Sequence, residues 1–234
     1  MWRPSFRTVV ATTVVLGVAV TVFVGLSRSP DPNPGPDRAP TPEVAAGDDP
    51  LAGIVLLDRR TRTPNYHREA FGAAWTDDTD APLGHNGCDT RNDVLARDLV
   101  DTVTFEITRC PWAVRSGVLH DPYTGATIEF RHGNDTSAEV QVDHIVALSL
   151  AWDLGADAWT PERRARFAND PANLLAVGGE VNFAKASRAP TGWMPPNEDF
   201  RCDYARRFAA VLREYELPVD RASAAVLRAA SGRC

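Results

Sequence analysis

Glu139-Val140-Gln141-Val142-Asp143-His144-Ile145-Val146-Ala147 and Asn173-Leu174-Leu175-Ala176-Val177-Gly178-Gly179-Glu180-Val181-Asn182-Phe183-Ala184-Lys185 are the two stretches that decide the fold. The first alternates apolar and polar residues into an acid and a histidine, the pattern of a strand ending at a polar site. The second reads as a short apolar strand beginning at Asn173, a Gly-Gly turn, and a short helix from Glu180 to Ser187. Between them, Ala147 to Leu154 is helical in pattern. A further helix opens at Thr160-Pro161-Glu162, a capping hydroxyl followed by proline in the first turn, and runs to Asn169. Strand, strand, helix, with helices inserted between the strands, is the outline.

These residue types suit one kind of chemistry. Cleaving a phosphodiester needs a deprotonated water, a group that absorbs charge growing on the phosphate, and help for the departing oxygen. His144, mostly neutral at pH 7, qualifies as the base. Asp143 and Asn182 offer hard oxygens to one divalent cation, which would serve the other two needs. Successive strand side chains diverge, so Asp143 can hold metal while His144 faces the attacking water. Lys185 stands out by composition, as the only lysine beside 24 arginines.

Working outward, Arg91 to Thr102 has helical spacing, Val103 to Ile107 alternates like a strand, Asp121 to Gly125 is a turn, and Ala126 to Phe130 a second strand. Leu51 to Leu57 is a short apolar strand or docking turn. Past Pro195-Pro196, Cys202 to Tyr215 and Arg221 to Ala230 are amphipathic helices. The class is α+β. Trp152 and Trp159 fall on helix faces expected in the core. His67, His85, His120 and His132 lack partner spacing and read as surface or structural residues.

The N-terminal third is of another kind. No residue from Thr8 to Leu26 is charged, and at about 1.5 Å per residue that helix would be just short of the roughly 30 Å hydrocarbon core. With Arg3 and Arg7 before it, residues 1–26 are expected to be an uncleaved anchor or a removed signal peptide, and both place the remainder outside the cytoplasm. Residues 27–50 are rich in proline and polar residues and read as a disordered linker. Residues 51–234 form the working domain.

Cys88, Cys110, Cys202 and Cys234 include no C-x-x-C pair, which argues against structural zinc and for two disulfides in an oxidising compartment. Three pairings are open. Cys88–Cys110 with Cys202–Cys234 closes the two shortest loops and is the expected one, each bridge adding about 3–4 kcal/mol on the loop-entropy view. The net charge of −6 is unevenly spread. Residues 1–157 carry −9 and residues 158–234 carry +3, so the basic excess lies downstream of His144, where phosphate contacts are useful.

The pattern Asp143-His144-Ile145-Val146, a downstream Asn173, a second asparagine at 182 and Lys185 beyond it resembles the HNH branch of the His-Me finger (ββα-metal) nucleases. The segment from Cys88-Asp89-Thr90-Arg91-Asn92 to Cys234 is similar to secreted HNH-type proteins of the DUF1524 family. Family-like pieces include Asp121-Pro122-Tyr123-Thr124-Gly125, Phe167-Ala168-Asn169-Asp170-Pro171-Ala172-Asn173-Leu174 and Trp193-Met194-Pro195-Pro196. The resemblance implies a ββα-metal core with added helices, and an endonuclease of low sequence specificity using one Mg²⁺ or Mn²⁺. It implies a nucleic acid substrate, with DNA favoured over RNA. His144 would be the general base, Asp143 and Asn182 the metal ligands, Asn173 the brace of the histidine loop, and Lys185 a residue near the scissile phosphate. One departure is Ala147, where the family usually has proline. Plainer readings stand beside these. Asn173 could bond its own backbone at a strand start, and Lys185 could lie on a solvated helix face. Arg91 could clamp a phosphate or pair with Asp89 or Asp93. No protein partner is implied. A surface binding module that keeps the fold without the chemistry is the alternative.

Overall fold

The computed structural model describes residues 49–133 and 138–234. The apolar segment at 1–26 and all but the end of the linker lie outside the described residues. The elements run β1 (Leu56–Leu57), α1 (Thr90–Asp98), β2 (Val100–Ile107), β3 (Cys110–His120), β4 (Thr127–Arg131), β5 (Val140–His144), α2 (Leu148–Asp153), α3 (Pro161–Asn169), β6 (Leu174–Gly178), α4 (Gly179–Lys185), α5 (Arg201–Glu214), β7 (Val219–Asp220) and α6 (Arg221–Ser231), with short 3₁₀ turns between some of them. The strands form three small sheets ordered β2-β3-β4, β5-β6 and β1-β7. The fold is mixed α and β.

α1 starts where Asp89 caps it, its carboxylate accepting from the Asn92 backbone N–H at 2.7 Å, which satisfies one of the orphan donors of a first turn. The helix expected to continue to Thr102 ends at Asp98, and Val100 already pairs with Val118 of β3. Pairing in a sheet has overridden helical spacing in a run rich in β-branched residues. β3 has no counterpart in the sequence reading. Its inward and outward residues do not alternate cleanly, because bulges shift the β2–β3 register.

The inner face of α1 explains where the central strand pair sits. Val94, Leu95 and Leu99 pack with Val114, Leu119 and Phe130 of the three-stranded sheet, and with Val140, Val142, Leu174 and Ala176 of β5 and β6. The opposite face of β6, Leu175 and Val177, joins a larger core with α2, α3, α5 and α6, in which Phe167, Tyr204, Phe208 and Leu212 are fully buried. Each such side chain contributes roughly 1.5–3 kcal/mol through removal from water. β5 and β6 are antiparallel, from Val140 opposite Gly178 to His144 opposite Leu174. With both faces covered, the pair is held in one register, since a one-residue slip would exchange its two faces.

α4 follows β6 without a loop. Gly179 makes this possible: a Cβ there would collide with the Ala138 carbonyl oxygen, and its N–H donates to Glu139 O at 2.9 Å. The start of α4 is thereby pressed against the start of β5.

The N-terminal segment is tied to the end of the chain. β1 pairs with β7 in parallel, and Asp49 meets Arg228 at 2.8 Å. Of the apolar run at 51–57 only Leu56 and Leu57 are strand. Cys88 is bonded to Cys110, and Cys202 to Cys234. The first joins the start of α1 to the start of β3; the second joins α5 to the last residue.

Candidate functional site

β5 ends at the floor of an open cleft of about 470 Å³ lined by Asp143, His144, Asn182, Arg91, Arg68 and Trp75, among others. Strand alternation sorts the residues of β5. Gln141 and Asp143 meet α4, where Gln141 Oε1 accepts from Asn182 Nδ2 at 2.8 Å and Asp143 Oδ1 accepts from Lys185 Nζ at 3.0 Å.

His144 is held on two sides. Its Nε2 lies 2.9 Å from the Ala168 carbonyl oxygen, and its ring stacks on Trp75 with centroids 5.5 Å apart and planes 13° from parallel. A carbonyl only accepts, so Nε2 carries the hydrogen and Nδ1 keeps a lone pair. Burial pushes the imidazole down to about 3 against the pull of the Ala168 carbonyl, and the charges of Arg68 and Lys185 push the same way. The ring is therefore neutral at any physiological pH.

Asn173 is wholly buried and grips the chain just past the histidine. Its backbone oxygen accepts from Ile145 N at 2.8 Å, its Oδ1 accepts from Val146 N at 2.9 Å, and its Nδ2 donates to Val146 O at 3.3 Å. It ends the 3₁₀ turn Pro171–Asn173 rather than opening the strand, which begins at Leu174.

Lys185 requires a correction. Expected near a phosphate or on a solvated face, it has 0% of its surface exposed. Its ammonium donates to Asp143 Oδ1 at 3.0 Å and to the His144 carbonyl at 2.8 Å. A cation so enclosed offers nothing to a phosphate. It sets the position of two neighbouring site residues instead.

Asp143 is 5% exposed. Burial raises its carboxyl pKa, opposed by the Lys185 charge and by the Tyr123 hydroxyl, which donates to Oδ2 at 2.7 Å. Lys185 Nζ also lies 3.0 Å from Oδ2, so both carboxylate oxygens already have partners, and Oδ1, which the tyrosine hydroxyl does not touch, is the one with more room for a further ligand. Asn182, which gives one amide hydrogen to Gln141, keeps Oδ1 as an acceptor. One carboxylate and one amide oxygen on one cleft form a hard donor set that fits Mg²⁺ or Mn²⁺. Among the described residues no three His, Cys, Asp or Glu side chains converge as a metal cluster. Arg91 donates Nη2 to the Val140 carbonyl at 3.0 Å, and burial lowers its pKa, opposed by Asp89. Arg91 is one of the residues lining the cleft.

Four partners of the site were not singled out by sequence: Arg68, Trp75, Tyr123 and the Ala168 carbonyl. Tyr123 lies within the recurrent Asp121–Gly125 piece, so a signal for it existed. Trp75 lies in an irregular segment with none.

Residues 89–230 match the family described as "GmrSD restriction endonucleases, C-terminal domain". The chain is also 33% identical over 219 residues to an "Uncharacterized secreted protein" of Arthroderma benhamiae (strain ATCC MYA-4681 / CBS 112371), covering 93% of this chain and 98% of that one. No solved structure matches.

Proposed function

This chain belongs to the family of GmrSD restriction endonuclease C-terminal domains, and from that premise we propose that it is a metal-dependent endonuclease of the HNH type. The observation that carries the reading is the placement of His144: its Nε2–H tied to the Ala168 carbonyl, and its ring bordering an open cleft beside a carboxylate and an amide oxygen. β5, β6 and α4 serve as the ββα finger. Water bound in the cleft gives a proton to His144 Nδ1 as its oxygen attacks phosphorus, and the bond from phosphorus to the departing oxygen breaks. Asn173 and Trp75 hold the imidazole for this, and Lys185 holds Asp143. Arg91 and Arg68 draw the phosphate in.

Asp143 and Asn182 would hold one Mg²⁺ or Mn²⁺, which supplies charge neutralisation at the phosphate and the departing oxygen. Because Lys185 already balances the Asp143 charge, these two residues alone would hold such a cation weakly. DNA is the preferred substrate, cut with little sequence preference. Two disulfides and a secreted relative support a location outside the cytoplasm, with residues 1–26 as anchor or signal peptide.

Plasmid nicking tests this. Cleavage should require Mg²⁺ or Mn²⁺, stop with EDTA, and fall about 100- to 10,000-fold in His144→Ala. A variant rate within a few-fold of wild type would remove His144 from the chemistry.

A further inference from the structure

A second groove, of about 600 Å³, adjoins the cleft, and Ala186 and Ser187 line both. Its walls carry Arg59, Arg60 and Arg62 from the N-terminal segment and Arg188 just past α4. Arg60 is occupied by Asp153 at 2.6 Å. The groove's acids are occupied as well: Asp58 pairs with Arg221 at 3.0 Å, and Asp220 caps α6 by accepting from Ser223 N at 2.9 Å. Arg59, Arg62 and Arg188 are exposed and have no ion pair among the described residues. Arg59 and Arg62 precede the family match at 89–230.

A separate observation comes from α4. Phe183, next to Asn182, lines the cleft and is 86% exposed, the most exposed large apolar side chain among the described residues. A phenyl ring kept in water in the cleft, with unpaired guanidinium groups in the adjoining groove, matches the two faces of an unpaired nucleotide strand: the ring takes a base, the arginines take phosphates. A duplex hides its base faces in the stack and cannot use such a ring.

We propose that cleft and groove form one track for a single-stranded segment of nucleic acid, with Arg59, Arg62 and Arg188 on its phosphates and Phe183 under a base beside the scissile bond. The proposal rests on the nuclease reading above and names the form of its substrate.

Binding without metal separates the two. The full chain in EDTA is titrated against a fluorescent DNA strand, the RNA strand of the same sequence, and the DNA duplex, at several salt concentrations. Arg59→Ala/Arg62→Ala/Arg188→Ala should weaken binding and flatten the slope of log affinity against log salt on single strands by about 2, from about 0.7 per phosphate contact. Phe183→Ala should weaken single strands about tenfold and leave the duplex unchanged. Whichever of DNA or RNA the wild type binds more tightly should show both losses. An unchanged salt slope, or an equal effect of Phe183→Ala on duplex and strand, overturns the track. Neither result bears on the nicking assay. Conversely, a wild-type chain that cuts no nucleic acid with Mg²⁺ or Mn²⁺ would overturn the nuclease reading and leave these binding data standing.

Discussion

Lys185 has exchanged water for a carboxylate and a carbonyl, and that exchange orders the site. Its ammonium joins the Asp143 carboxylate to the His144 carbonyl across α4 and β5. Removing one partner of a buried ion pair leaves the other uncompensated, at a cost of about 3–5 kcal/mol. Lys185→Met should therefore lower unfolding stability by that amount in urea titrations. A loss under 1 kcal/mol would mean that Asp143 does not depend on the pair. Tyr123→Phe removes the second donor to the same carboxylate and should cost about 1.5–3 kcal/mol, since bonds to charged groups are the stronger ones. Composition drew attention to Lys185, and spacing placed it one turn beyond Asn182. Neither could tell a residue facing the cleft from one facing inward, because on a short helix that depends on what lies across from it.

At the scale of elements, α1 carries a titratable group in its buried face. Asp93 is 2% exposed, and burial pushes its carboxyl up to about 6, opposed by the Asn86 amide that donates to it at 3.0 Å. In the unfolded chain this carboxyl loses its proton near 3.8. Between those two values the folded protein binds more protons, so Asp93 makes folding less favourable as pH rises through that window. Above pH 6 the full penalty applies. Asp93→Asn should melt at a higher temperature relative to wild type at pH 7 than at pH 4. A constant difference from pH 4 to 7 would contradict the buried carboxyl. The elements themselves were unevenly legible. β5, β6, α3 and the two C-terminal helices follow their residue patterns to within a few positions, since caps, glycines and apolar spacing agree there. α1 and β3 departed from theirs because sheet pairing and register shifts, set by distant residues, outweighed local preference.

For the whole molecule, stability comes from core and cross-links. Cys202→Ser/Cys234→Ser should cost about 3–4 kcal/mol on the loop-entropy view, with the C-terminal residues fraying first in hydrogen exchange. EDTA should abolish cleavage while leaving the thermal unfolding curve in place, because neither core includes the cleft's oxygen donors. A large fall in melting temperature on chelation would show the cation to be structural.

By itself the amino-acid sequence determined the strand–strand–helix order, the polar residues at the end of β5, the four cysteines and the α+β class. These are local quantities: periodicity, caps, turns and spacing along the chain. Only tertiary structure decided that Lys185 faces inward, that Trp75 and the Ala168 carbonyl hold the imidazole, and that arginines from residues 59–62 stand beside Arg188. Such contacts join segments many residues apart, and burial, which sets both ion pairing and the neutrality of His144, exists only once those segments have packed.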